Sequence, residues 1–140
     1  MRIRQMLISD YEKIYNLWLN TPGMGLNDYD DSKEGIERYL LRNPNTCFVA
    51  ESGGEIVGAI LSGHNGRRGT INHLAVTKHE REKGIGSALV RRAEEALNNE
   101  GIKKIHIIVF KNNAEGNSFW EKRGYTVPGE TLCRAKNIDA

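Results

Sequence analysis

Leu74-Ala75-Val76-Thr77-Lys78-His79-Glu80-Arg81-Glu82-Lys83-Gly84-Ile85-Gly86-Ser87-Ala88-Leu89 is the stretch that decides the fold. An apolar strand runs into a short charged loop, and the loop runs into a helix that opens on Gly84-x-Gly86. The first turn of a helix has backbone N–H groups without intrahelical partners, and the helix dipole is positive there. Glycines let a ligand approach that backbone closely. Arg81 and Lys83 add positive charge beside it. Together these features predict a site for an anion the size of a pyrophosphate.

Two nucleotide fingerprints are excluded. A dinucleotide site needs a third glycine three residues after Gly86, where Leu89 stands. A triphosphatase loop needs Gly-Lys-Ser/Thr, and Gly86-Ser87 lacks the lysine.

Working outward, Gly84–Glu100 is the clearest helix. Ile85, Leu89, Ala93 and Leu97 recur at spacing four, and Gly101 terminates it. Thr70–Val76 reads as the strand before it, and Lys104–Phe110 as a buried strand after it, because Ile105, Ile107, Ile108 and Val109 are nearly continuous. Upstream, Thr46–Ser52 and Glu55–His64 flank Gly53-Gly54, a hairpin signal. Ile3–Met6 reads as a first strand. Ser9 with Glu12, and Asp31 with Glu34, have capping-box form, placing helices over Ile14–Trp18 and Ile36–Leu40. Asn43-Pro44 stops the second. Asn113–Arg123 reads as a last helix ended by Gly124, with Tyr125–Val127 and Leu132–Ile138 as closing strands. Hairpins early and strand–helix–strand units late predict an α/β mixed sheet with helices on both faces.

Arg81-x-x-Gly84-x-Gly86 after Leu74-Ala75-Val76 resembles the acetyl-CoA signature, R/Q-x-x-G-x-G/A, of the GNAT superfamily of N-acyltransferases. That family's next segment has the form N-x-x-A-x-x-L-Y-E-x-x-G-F. Asn113, Gly116, Phe119, Trp120, Glu121, Gly124 and Tyr125 occupy those places here. The order of elements is similar from end to end. The resemblance implies one GNAT-like domain over residues 1–140, with splayed central strands and acetyl-CoA as cosubstrate. It implies that the backbone of Leu74, Ala75 and Val76 pairs with the pantetheine amides, and that the N–H near Leu74 polarises the thioester carbonyl. Arg81, Glu82, Lys83, Gly84, Ile85, Gly86 and Ser87 would wrap the pyrophosphate, mostly through backbone N–H groups. Asn113 would bond the pantetheine arm, and it is also a good N-cap. Phe119 and Trp120 would pack near the thiol end.

The chain departs from the family at Trp120. Many members have a tyrosine there that protonates the leaving thiolate, and an indole N–H cannot serve as that acid. The base is also open. Strand alternation places Thr70, Asn72 and Leu74 on one face and Ile71, His73 and Ala75 on the other. Asn72 could hold a relaying water. His73 has the right chemistry but reaches the same cleft only if a bulge rotates it. Catalytic candidates are therefore Leu74, Asn72, His73 and Trp120.

For the acceptor, the resemblance points to the loop between the first two helices. It carries Asp28, Asp30 and Asp31, which favour a cationic group. Asp28 and Asp30 are the substrate candidates, for a small amine or a peptide amino terminus.

Composition limits the alternatives. The chain has 140 residues, the size of one domain, with 27% charged residues and a net charge of +2. That charge is too small to favour nucleic acid by itself, although basic residues gather at Arg67-Arg68 and from Lys78 to Lys83, and basic strands interleaved with aromatics are missing. No apolar run is long enough to span a membrane. Cys47 and Cys133 are too few for a disulfide framework or a zinc site, so no metal is expected and a reducing cytoplasm is. Both cysteines fall in predicted strands, which favours buried thiols. Members of the family often dimerise, so a homodimer is one assembly the resemblance implies. The competing reading is a non-catalytic acyl-CoA-binding module of the same fold, favoured by the missing tyrosine.

Overall fold

The computed structural model describes residues 1–138 and divides into two compact units, Met1–Phe110 and Lys111–Ala140. Each is treated by itself. The first unit holds a five-stranded sheet in the order β1-β2-β3-β4-β5: β1 (Arg2–Gln5), β2 (Phe48–Ser52), β3 (Glu55–His64), β4 (Gly69–Val76) and β5 (Ile105–Ile107). The first four strands are antiparallel and β5 joins β4 in parallel. Helices α1 (Tyr11–Leu19) and α2 (Lys33–Arg42) precede β2, and α3 (Ile85–Asn99) links β4 to β5. Gly53 and Gly54 both have positive φ, 59° and 82°, which makes the β2–β3 connection the tight hairpin expected.

The sheet register assigns the faces. Val49, Ala59 and Ala75 stand in line and pack with Ile14, Trp18 and Ile36 from α1 and α2. Phe48, Ile60 and Leu74 stand in line on the opposite face. There the Arg92 guanidinium of α3 lies 4.8 Å from the Phe48 ring centroid, and a Cβ on Gly58 would touch Leu89 and Ile85. Helices thus cover both faces of the sheet, as the alternation of elements requires. The apolar positions of α3 (Ile85, Leu89, Ala93, Leu97) are all buried, and Gly101 closes the helix with Ile102 N–H donating to the Leu97 carbonyl.

Several expectations are corrected. The N-cap of α1 is Asp10, not Ser9, because Asp10 closes a preceding 3-10 turn by accepting from the Leu7 N–H at 2.9 Å. Ser32 caps α2 in place of Asp31, accepting from Gly35 N–H at 3.0 Å. The buried strand expected over Lys104–Phe110 shortens to β5, since it is an edge strand with a single three-residue ladder; Ile108 is 81% exposed. Tyr125–Val127 and Leu132–Ile138 form no strands. Apolar pattern alone does not hold a strand.

Cys133 is therefore exposed, not buried. Cys47 is buried, its thiol donating to the Ser62 carbonyl at 3.1 Å, and burial pushes that thiol up to about 12. A native-state thiol titration at pH 8 is expected to count one fast-reacting cysteine, Cys133, with Cys47 reacting only after denaturation. Two fast thiols would contradict the packing of β2. No helix among the described residues is long and apolar enough to cross a membrane.

In the second unit, α4 (Ala114–Lys122) is capped by Asn113, whose Oδ1 accepts from Gly116 N–H at 2.9 Å. Gly124 has φ 89° and closes it, with Tyr125 N–H donating to the Trp120 carbonyl.

Candidate active site

The ladder between β4 and β5 ends at Ile71↔Ile107, yet β4 runs on to Val76. Among the described residues no strand pairs with its outer edge from Asn72 onward, which leaves backbone donors and acceptors available there. At the end of β4, Arg81 Nε donates to the Val76 carbonyl at 3.0 Å and pins the loop to the strand. Lys83 is engaged with Glu80 at 3.1 Å. The loop then enters α3 through Gly84, whose φ of 82° is left-handed and which supplies no side-chain cap to the first turn. Glu82 shares that conformation at φ 65°, a strained state for a residue with a Cβ. The side chains of Ala75 and Ile85 are spent in the core, so only their backbone can serve a ligand. Strand edge and helix start together fit the extended amide chain and diphosphate expected from the sequence.

On the other face of β4 lies a cavity of about 490 Å³, bordered by the α1–α2 loop, α2 and β4. A bulge decides its chemistry. Leu61 pairs with His73 and Ser62 pairs with Ile71, so Asn72 is an extra residue in β4. Beyond it the alternation is reset. Asn72 and His73 both line the cavity, while Leu74 stands on the α3 face. The expected grouping of Asn72 with Leu74 is thereby corrected.

Asn72 Nδ2 donates to the Tyr39 hydroxyl at 2.9 Å. Burial drives that hydroxyl far above its ordinary value, so Tyr39 stays a neutral phenol. His73 Nε2 lies 2.8 Å from Asp31 Oδ1, and the Asp31 carboxylate also accepts from the Asn27 N–H at 2.9 Å. Tyr11 donates to the Asp31 carbonyl at 2.6 Å. A carboxylate can only accept, which assigns the proton of the neutral ring to Nε2 and leaves Nδ1 as a bare lone pair. Nδ1 is buried with no hydrogen-bond partner, as is Trp18 Nε1, and the two rings lie 4.8 Å apart, edge to face.

Sequence reasoning missed Tyr39, Arg38 and Arg42 as cavity residues, and it counted Asp31 among the loop acids without its pairing to His73. Asp31 reads as a helix cap, and Tyr39 reads as part of an apolar stripe. Arg38 and Arg42 at helical spacing carried the available signal. Of the expected acceptor residues, Asp30 lines the cavity and Asp28 does not.

Gly35 sets the loop against α2. A Cβ there would come within 2.4 Å of the Asp30 carbonyl oxygen and 2.5 Å of that of Tyr29, both backbone. Gly35→Ala is therefore expected to cost about 1–3 kcal/mol and displace the loop that carries Asp31. A thermal melt checks the first effect and the acceptor KM the second; an unchanged melt would mean that the loop yields freely.

In the second unit, Trp120 packs edge to face against both Phe119 and Tyr125, at 5.1 Å each, and Arg123 lies 3.9 Å over Phe119. All three rings are half-buried. Among the described residues no group of His, Cys, Asp and Glu is arranged to hold a metal ion.

This fold, a mixed sheet with an opened strand edge running into a glycine-led helix, defines an acyltransferase-like α/β class. Residues 11–125 match the model of the Acetyltransferase (GNAT) family. Acetyltransferase SG1711 of Sodalis glossinidius is 34% identical over 138 residues, covering 99% of this chain and 96% of its own. Acetyltransferase ECA0875 of Pectobacterium atrosepticum is 36% identical over 125 residues, covering 89% and 87%. Among solved structures, Ard1 from Thermoplasma volcanium superposes with a TM-score of 0.80 at 21% identity, covering 91% of this chain and 84% of that one. PaiA N-acetyltransferase from Thermoplasma acidophilum, solved with coenzyme A, gives 0.79 at 21% identity, covering 93% and 92%. The chain belongs to the GNAT acetyltransferase family, and it is an acyltransferase enzyme by that membership.

Proposed function

We propose that the protein transfers an acetyl group from acetyl-CoA to a primary amine, on a small molecule or a peptide amino terminus, by direct attack. The observation that carries this reading is the β4 edge left open beyond Ile71 and leading into the uncapped start of α3. Acetyl-CoA supplies a thioester carbonyl already activated for attack. The backbone of Leu74, Ala75 and Val76 holds the pantetheine arm as an added strand would be held. The Leu74 N–H is the donor for the carbonyl oxygen. Backbone donors from Arg81 to Ser87 hold the diphosphate, with the left-handed Gly84 turning the chain toward it. Asn113, Phe119 and Trp120 of the second unit are assigned to the same cosubstrate by their match to the family motif.

An ammonium is a poor nucleophile, so the acceptor must lose a proton. His73 is the base, through a water that reaches Nδ1 as the acceptor binds: Asp31 fixes the tautomer that leaves this nitrogen a lone pair, and without an acceptor it is buried and unpartnered. Asn72 and the neutral Tyr39 hydroxyl orient that water and the incoming amine. No dedicated acid is assigned to the thiolate, since Trp120 cannot supply one. Two free thiols, one of them exposed, suit a reducing cytoplasm.

The test is thiol release from acetyl-CoA against polyamines, amino acids, aminoglycosides and peptides with free amino termini, with CoA binding measured by calorimetry. Release with one class supports the reading. Tight CoA binding with no release from any amine would replace it with the non-catalytic module.

A further inference from the structure

The cavity beside His73 carries two guanidinium groups that acetyl transfer does not by itself require. Arg38 and Arg42 lie four residues apart on α2, hence on one face of the helix, and both line the 490 Å³ cavity with Asp30, Asn72 and His73. Neither is ion-paired with a carboxylate among the described residues. Arg38 lies across the Tyr29 ring, 4.8 Å from its centroid, a stacking contact that orients the guanidinium and leaves its planar N–H edge for an acceptor. Arg42 and Tyr39 also border a second cavity of about 290 Å³, which is lined by Arg68, His64 and His106 and by no carboxylate.

The lining therefore changes sign. Asp30 and the committed Asp31 lie beside His73, while beyond Arg38 and Arg42 the wall is cationic. A polyamine would be attracted by Asp30 and repelled by the arginines. Arg42 stands in the last turn of α2, where a cation complements the helix dipole, but Arg38 stands a full turn earlier and has no such role.

We propose that the acceptor carries a carboxylate as well as its reacting amine, as an amino acid or short peptide does, with the carboxylate held by Arg38 and Arg42 and the amine directed at His73. This deepens the acetyl-transfer reading and rests on it. Planar guanidinium groups bind a carboxylate through paired N–H donors, which gives both affinity and orientation. The same amine without its carboxylate would leave both cations facing nothing.

The experiment compares matched acceptors, a series of amino acids and dipeptides against their C-terminal amides, by thiol release from acetyl-CoA. The amides have the less basic amine, so intrinsic reactivity at neutral pH favours them and works against the proposal. The expected result is a kcat/KM at least about tenfold higher for the free acids. Arg38→Gln and Arg42→Gln should each lower it about tenfold for the acids and leave the amides within about twofold, with unchanged thermal melts. Equal or better use of the amides, equal losses on both series in the arginine variants, or release with polyamines alone overturns the carboxylate and leaves acetyl transfer standing. No thiol release with any amine, while CoA still binds, overturns both.

Discussion

Replacing His73 by glutamine is expected to lower kcat by about 10²–10⁴-fold, the range for a lost general base, with CoA affinity nearly unchanged. Glutamine keeps a polar group of similar reach but cannot take a proton. The neighbouring test is Asp31→Asn, which preserves shape. Its amide oxygen can still accept from the Asn27 N–H, but its NH2 would face His73 Nε2 as a donor. The ring would then carry its proton on Nδ1, the nitrogen that has to be bare. Asp31→Asn should therefore lose activity through kcat while keeping a folded melt. Single-turnover kinetics at saturating acceptor separates this from a binding defect. Activity within threefold of the parent in His73→Gln would remove the dyad from the mechanism and return the base to a water on Asn72.

The second large effect concerns stability. Arg4 on β1 donates to both oxygens of Asp10, at 2.9 and 2.8 Å, and also pairs with Glu51 on β2. Asp10 is 8% exposed. Burial opposes its ionisation most strongly, but the Arg4 hydrogen bonds, the Leu7 N–H and the Arg4 charge together outweigh it and hold the carboxyl below its usual range. The same contacts raise Arg4. Arg4→Met leaves a carboxylate with little water and without its paired guanidinium. Removing one partner of a fully buried pair costs about 3–5 kcal/mol; with Arg4 partly exposed, roughly 2–4 kcal/mol is expected at pH 7.

The pH dependence has a definite sign. A carboxyl with a lowered folded value contributes stability above its unfolded value, about 3.9, and loses it as the pH falls through the folded value. In Arg4→Met burial is opposed only by the Leu7 N–H and the charge of Lys13, so the folded value rises and the penalty shrinks as the carboxyl protonates. Urea midpoints should differ widely between parent and variant at pH 7 and draw together as the pH falls below about 3.9. A gap of constant size would show that the contact is steric and not ionic.

Much of the molecule was legible in the residues. The spacing of Ile85, Leu89, Ala93 and Leu97 predicts α3, and all four are buried. Gly53-Gly54, Gly101 and Gly124 mark turns and helix ends where the backbone has positive φ. Such signals are local, because a period or a left-handed position is set within a few residues. The segment after Gly124 fails the same reasoning for a physical reason: a strand needs a partner edge, and its own sequence cannot supply one.

The same distinction runs through the site. The turn proposed to bind the diphosphate was legible in the sequence by itself, since Arg81, Gly84 and Gly86 lie close together in the chain and their chemistry is that of a helix start. Only the tertiary structure decided the acceptor side. The bulge at Asn72 arises from how β3 and β4 register, and it alone brings His73 to the cavity. Asp31 reaches His73 across 42 positions of sequence, and Arg38 joins the same wall from another helix. Contacts of that separation depend on the packing of whole elements, which no local pattern encodes.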